Sequence, residues 1–200
     1  MSGKTGRRLW HLVGGSLAPI GAFFISEKTL LITLSAITFA FLVLELIRFL
    51  FPKVNDRFFR LFQRVLKKEE RSRPIGSSYL LVASVLAFLL FEKDIAIACL
   101  LFLAVGDPAA GVIGERLEIR RAFGWGWRGW GWQGAVACLL SCLAVGMVLI
   151  QVGLNINLIL ISVGAAVAAV VALFPWPIDD NIVMPLLCGA VMTLVAVYCG

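Results

Sequence analysis

The sequence predicts an all-α integral membrane protein, a polytopic bundle of about seven transmembrane helices plus one interfacial amphipathic helix. The whole chain, 1–200, reads as a single membrane domain. Three observations lead there. Apolar residues make up 60% of the chain and mean hydropathy is +0.96, well outside the soluble range. Those residues gather into segments near the roughly 20 that a helix needs to cross a hydrocarbon core about 30 Å thick. Finally, the basic residues concentrate in alternate connections between the segments, as the positive-inside rule requires.

Taken in order, the predicted spans are 9–25, 30–51, 77–91, 95–105, 134–152, 158–174 and 182–198. The first follows Arg7 and Arg8, but Gly14, Gly15 and Pro19 interrupt it and no small-residue cleavage site follows. It reads as part of the fold and not as a signal peptide. The second ends in Glu45 and Arg48, which share a helix face at three residues' spacing and can neutralise each other. Such a pair inside a span is a functional candidate, and equally a structural tie to the bundle.

Residues 53–70 follow as the interfacial segment. Val54, Phe58, Leu61, Phe62, Val65 and Leu66 recur on one helix face, with Arg57, Arg60, Arg64, Lys67 and Lys68 opposite. Apolar burial and anionic lipid headgroups, at about 1 kcal/mol per basic residue, would hold it in the interface. It reads either as a positive-inside loop or as a ramp by which an amphiphilic or phosphorylated lipid reaches the bundle. The fourth span, 95–105, is short, and is expected to continue as a broken helix into Gly106-Asp107-Pro108-Ala109-Ala110-Gly111-Val112-Ile113-Gly114. Gly106 permits a break, Asp107 suits an N-cap and Pro108 a new first turn. Gly111 and Gly114 leave one helix face bare. Either Asp107 holds Mg²⁺ while helix-terminal amides receive phosphate, or the motif only caps and packs. It lacks the lysine of a P-loop.

Segment 106–133 is the motif together with its loop, and includes Arg116, Arg120, Arg121 and Arg128. Its Gly–Trp alternation from 124 to 134 fits an interfacial aromatic belt, or a loop stacking on a base. Before the last span, Pro175-Trp176-Pro177 ends one helix and Asp179-Asp180-Asn181 opens the next. These hard oxygens suit Mg²⁺, although one carboxylate could cap the helix. Capping uses only one of the two, which favours a metal role. His11, the sole histidine, is either a headgroup-level structural residue or a phosphate contact.

Seven spans put every strongly basic segment, and both carboxylate motifs, on the cytoplasmic side with the N-terminus, and the C-terminus opposite. The net charge of +6 is therefore a topology signal, and no soluble basic module for nucleic acid is present. The five cysteines form no CxxC pair and read as packing residues.

Together these features resemble the family of CTP-dependent lipid-alcohol kinases that includes dolichol kinase, phytol kinase and CTP-dependent diacylglycerol kinase. The resemblance runs through Arg7-Arg8-Leu9-Trp10-His11, Glu45 with Arg48, Gly76 with Tyr79, Gly106-Asp107-Pro108-Ala109-Ala110 with Gly114, and Asp179-Asp180-Asn181 with Pro185. It implies transfer of the CTP γ-phosphate to a membrane lipid hydroxyl with Mg²⁺. Asp107 and Asp180 would be catalytic, and Asp107, Asp179 and Asp180 would hold metal. Gly106, Pro108, Ala109, Gly111, Gly114, Arg116, Arg128 and Asn181 would bind the nucleotide. His11, Glu45 and Arg48 remain further candidates. The chain departs from the family where a lysine is Trp130, a glutamate is Gln133, and a late glutamate of the sixth span is Ala172. Arg128 offers a replacement charge. The alternatives are CDP-lipid synthesis by a cytidylyltransferase-like reaction and a degenerate lipid-binding member. A transporter is disfavoured because the polar residues sit at one face and not at the midplane.

Overall fold

A computed structural model describes residues 3–63, 65–66, 68–116, 131–174 and 176–199. Among them every regular element is helical. The order is α1 (Gly3–Gly21), α2 (Glu27–Leu50), α3 (Pro52–Phe62), a 3-10 turn at Lys68–Arg71, α4 (Gly76–Leu90), α5 (Lys93–Arg116), α6 (Gly131–Gln151), α7 (Leu158–Leu173) and α8 (Asp180–Cys199).

Among the described residues four helices are long and apolar enough to cross a membrane, at Glu27–Leu50, Lys93–Glu115, Gly131–Gln151 and Asp180–Tyr198. The apolar α4 and α7 are shorter, at 15 and 16 residues, or about 22–24 Å against a core of about 30 Å. These helices fit an integral membrane protein. The amphipathic helix is shorter than the expected 53–70. Pro52 starts it at a position where a missing N–H costs nothing, and regular α-helix stops at Phe62 before the 3-10 turn.

The larger correction concerns α5. The expected break at Gly106 is absent, and one helix runs from Lys93 through Pro108 to Arg116. Asp107 is therefore not an N-cap, and no helix N-terminus opens at Pro108 to receive phosphate. Pro108 removes the N–H that would reach the Ala104 carbonyl, and its ring crowds that carbonyl. Packing on both sides holds the helix through that loss. A Cβ on Gly106 would lie 2.7 Å from Cys142 Sγ and 2.9 Å from Cys138 Sγ, so α6 approaches the α5 backbone directly. On the other side Gly15 of α1 lies against Ala104. Small residues at such crossings are how membrane helices gain dispersion contact without a hydrophobic drive.

α5 is the centre of the bundle. Of its most apolar stretch 72% is buried, against 22% for α2 and 33% for α6 and α8. It packs against α1, α4, α6, α7 and α8, and Phe102 and Leu103 are fully buried within it.

Successive contacts show that neighbours run antiparallel. Arg8 meets Gly111 and Glu115, His11 meets Asp107, and Gly15 meets Ala104. Glu45, late in α2, meets Ser78, early in α4. One end of the bundle thus collects the starts of α1, α4, α6 and α8 with the ends of α2, α5 and α7. The other end carries the turns at 22–26, 91–92 and 152–157.

Candidate functional site at the basic end of the bundle

The most completely built polar group at this end is the Glu45–Arg48 pair. Turn spacing on α2 brings Arg48 Nη2 to 2.6 Å from Glu45 Oε2. Arg48 also donates to the carbonyls of Glu70 at 2.9 Å and Arg73 at 2.6 Å, and to Asn55 Oδ1 at 3.2 Å. Its guanidinium sits 4.4 Å from the Phe49 ring centroid, with Phe58 and Phe59 beyond. Glu45 Oε1 accepts from the Ile75 amide at 2.8 Å and from Ser78 Oγ at 2.9 Å. With Arg48 only 1% and Glu45 6% exposed, this is the structural tie between α2, α3, the 68–75 segment and α4.

A second seam joins α1 to the late half of α5. Arg8 donates to the Gly111 carbonyl at 2.7 Å and pairs with Glu115 at 2.8 Å. One turn on, His11 Nε2 lies 3.9 Å from Asp107 Oδ2, too far for a direct hydrogen bond. That nitrogen is buried without a partner. Asp107 itself is half-buried, as are Pro108, Ala109 and Gly114, while Gly106 and Gly111 are buried.

The third part joins α1, α4 and α8. The Trp10 indole donates to Ser77 Oγ at 3.3 Å. The Gly76 amide donates to Glu70 Oε1 at 2.9 Å, and a Cβ on Gly76 would lie 3.2 Å from Asn181 Nδ2. Asp179 Oδ1 accepts from both the backbone and side-chain nitrogens of Asn181. That is an N-cap, the simpler of the two roles open to Asp179. Asp180 is exposed in the first turn of α8. The N-termini of α4 and α8 are therefore both closed by carboxylates.

α6 starts differently. Gly131 takes φ +75°, a conformation that favours glycine. Gln133 is 9% exposed, and its side-chain amide makes no hydrogen bond among the described residues. Ala172 is buried near the end of α7. Arg128 and Trp130, and the side chain of Arg116, lie outside the described residues.

The structure thus brings His11, Asp107, Gly76, Asn181, Asp179 and Asp180 to one end of the bundle. It separates Glu45 and Arg48 into a knot of their own. Among the described residues no three His, Cys, Asp or Glu side chains stand together as a metal cage. Mg²⁺ commonly needs only one or two carboxylates beside substrate phosphates, and Asp107 and Asp180 provide hard oxygens of that kind. Sequence reasoning passed over Glu70, which closes the start of α4 across a six-residue span, and Ser77, which receives Trp10. Neither residue carries a periodic or motif signal. Glu70 lies in an irregular segment, and Ser77 matters only through α1.

Neither protein-family models nor curated proteins nor solved structures give a match to this chain.

Proposed function

We propose that the chain is a CTP-dependent kinase that phosphorylates a membrane lipid alcohol, polyprenol-, phytol- or diacylglycerol-like. One observation carries the reading. Motif residues remote in sequence, His11, Asp107, Gly76 and Asp179-Asp180-Asn181, gather at the bundle end that also holds the basic segments. The sequence resemblance supplies the chemistry. In this reading seven spans cross the membrane, the basic end and N-terminus are cytoplasmic, the C-terminus lies opposite, and α3 rests on anionic headgroups.

In the reaction, the lipid hydroxyl oxygen forms a bond to the γ-phosphorus as the bridging β–γ bond breaks. CDP leaves and the phosphorylated lipid remains. Asp107 accepts the hydroxyl proton, and His11 Nε2, buried 3.9 Å from that carboxylate with no hydrogen-bond partner of its own, stays available to a phosphate oxygen. The first-turn amides of α6 and the Gln133 side-chain amide would meet phosphate oxygens. Arg128 adds positive charge. Mg²⁺ arriving with the triphosphate, near Asp107 and Asp180, would neutralise charge on the transferring group.

The test is transfer from γ-labelled CTP to a panel of lipid alcohols by purified protein, with ATP and α-labelled CTP alongside. Label from the γ position entering lipid with CTP and not ATP is expected. Label from the α position would replace the kinase with a cytidylyltransferase. Asp107→Asn is expected to abolish turnover with the fold retained, and full activity in that variant would overturn its assignment.

A second reading, a degenerate lipid-binding protein, draws on a separate set of observations. α5 has no phosphate-receiving terminus at Pro108, and the α4 and α8 termini are occupied by Glu45, Glu70 and Asp179. No transfer by folded protein would select it.

A further inference from the structure

At the opposite end of the bundle, a cavity of about 270 Å³ opens between the starts of α5 and α7 and the end of α8. Its rim is polar: Glu92, Asn155 and Asn157. Its walls are aliphatic, from Ile95, Ile159, Leu160 and Val195 to Val197, and Thr193 lies among them. No basic side chain is among the lining residues.

Two features point to an occupant. Thr193 Oγ1 is buried with no hydrogen-bond partner, although a helical threonine can usually reach a carbonyl one turn back. An orphaned buried hydroxyl is destabilising unless something else pairs with it. The rim also keeps unused groups. Asn157 spends its Oδ1 on the Leu160 amide at 2.9 Å, which leaves its N–H donors available. Asp94 accepts from the Asn155 amide at 2.7 Å, and Glu92 is the carboxylate that lines the cavity itself.

The polar groups are also ordered by depth. Thr193 sits six residues before the end of α8 at Cys199, about 9 Å below it at 1.5 Å per residue. A ligand must therefore present a cation at the rim, an acceptor to amide N–H groups beside it, and a second acceptor deeper, along an apolar wall. A phospholipid with a primary-ammonium headgroup carries these in that order: ammonium, phosphate, ester carbonyl. The cavity is near the lower end of ligand-pocket volumes, large enough for a headgroup with the acyl chains outside, against Ile159 and Val197.

We propose that this cavity is a binding site for the headgroup of a primary-amine phospholipid in the leaflet at that end, with Glu92 pairing its ammonium and Thr193 donating to an ester carbonyl. The proposal rests on the chain crossing a bilayer and is independent of the kinase reading. A trimethylammonium headgroup has no N–H to donate to Glu92, and an anionic one is repelled by it, so the site discriminates among lipids.

The full-length protein is reconstituted in nanodiscs of equal phosphatidylethanolamine and phosphatidylcholine. Lipid retained after mild extraction is then counted by native mass spectrometry. Wild type is expected to retain phosphatidylethanolamine above its bulk share. Glu92→Gln should reduce that preference roughly two- to fivefold, the range of an exposed ion pair. Thr193→Val should reduce retention roughly two- to tenfold, as for one buried hydrogen bond, and Thr193→Ser should restore it. Glu27→Gln removes a charge at the same end outside the cavity and should change nothing. Retention at the bulk ratio by wild type would overturn the site. So would a loss in Glu27→Gln equal to that in Glu92→Gln.

Discussion

Arg48 carries a guanidinium into a site where 1% of the residue meets solvent, and every direction around it is answered by a carboxylate, a carbonyl, an amide oxygen or an aromatic face. Removing one partner of such a pair leaves an uncompensated buried charge, which costs about 3–5 kcal/mol. Arg48→Met is therefore expected to lower stability by that amount in denaturant titration in micelles, with Glu45→Gln in the same background costing much less than it does alone. Glu45 and Arg48 were legible in the sequence as a charged pair, yet their role was not. The carbonyls that decide it belong to Glu70 and Arg73, in a segment without periodicity. Gly106 teaches the converse lesson. Its place beside a carboxylate suggested a break for ligand, whereas it is the contact point for two sulfurs of α6. Gly106→Ala should destabilise by about 1–3 kcal/mol through overpacking, and Cys142→Ala should recover part of the loss in the double variant.

At the scale of elements, the two motif helices begin in opposite ways. α5 carries Asp107 in the middle of a continuous helix, while α8 carries Asp179 as its cap. The apolar helices were readable because length and composition act locally. The continuity of α5 was not, because the cost of Pro108 is offset by packing from α1 and α6, which no window along the chain contains. Asp179→Ala is expected to cost about 1 kcal/mol as a lost N-cap, read by thermal unfolding, and Asp179→Ser should restore most of it. A loss of CTP turnover in Asp179→Ser with stability intact would return Asp179 to the metal.

For the whole molecule, charge asymmetry and antiparallel packing agree on which residues share an end. Arg73 belongs to the end holding the motif residues, and Asn155 to the end holding the cavity lined by Glu92 and Thr193. In the topology proposed above, with the basic end cytoplasmic, a membrane-impermeant maleimide on intact cells should label Asn155→Cys and spare Arg73→Cys until the cells are opened. The opposite pattern would invert the topology. Cys99, Cys138, Cys142 and Cys188 are buried, and Cys199→Ser removes the fifth cysteine. This level of organisation was the most readable from sequence, since the positions of basic residues relative to apolar segments survive errors of several residues in any boundary.

The burial of α5 has a consequence for how the protein is made. In the finished bundle it is enclosed by α1, α4, α6, α7 and α8, but three of those helices are synthesised after it. In the membrane-spanning reading proposed above, while the ribosome is still extending α6, the faces of α5 that α6, α7 and α8 will cover meet lipid. Its 18-residue apolar window, at a mean hydropathy of 2.1, makes that wait in the bilayer inexpensive. Asp107 and Glu115, near its basic end, are shielded meanwhile by α1, which is already in place. In that reading α1 would escort the polar half of α5 during biogenesis, and a chain lacking residues 1–21 should be cleared by quality control.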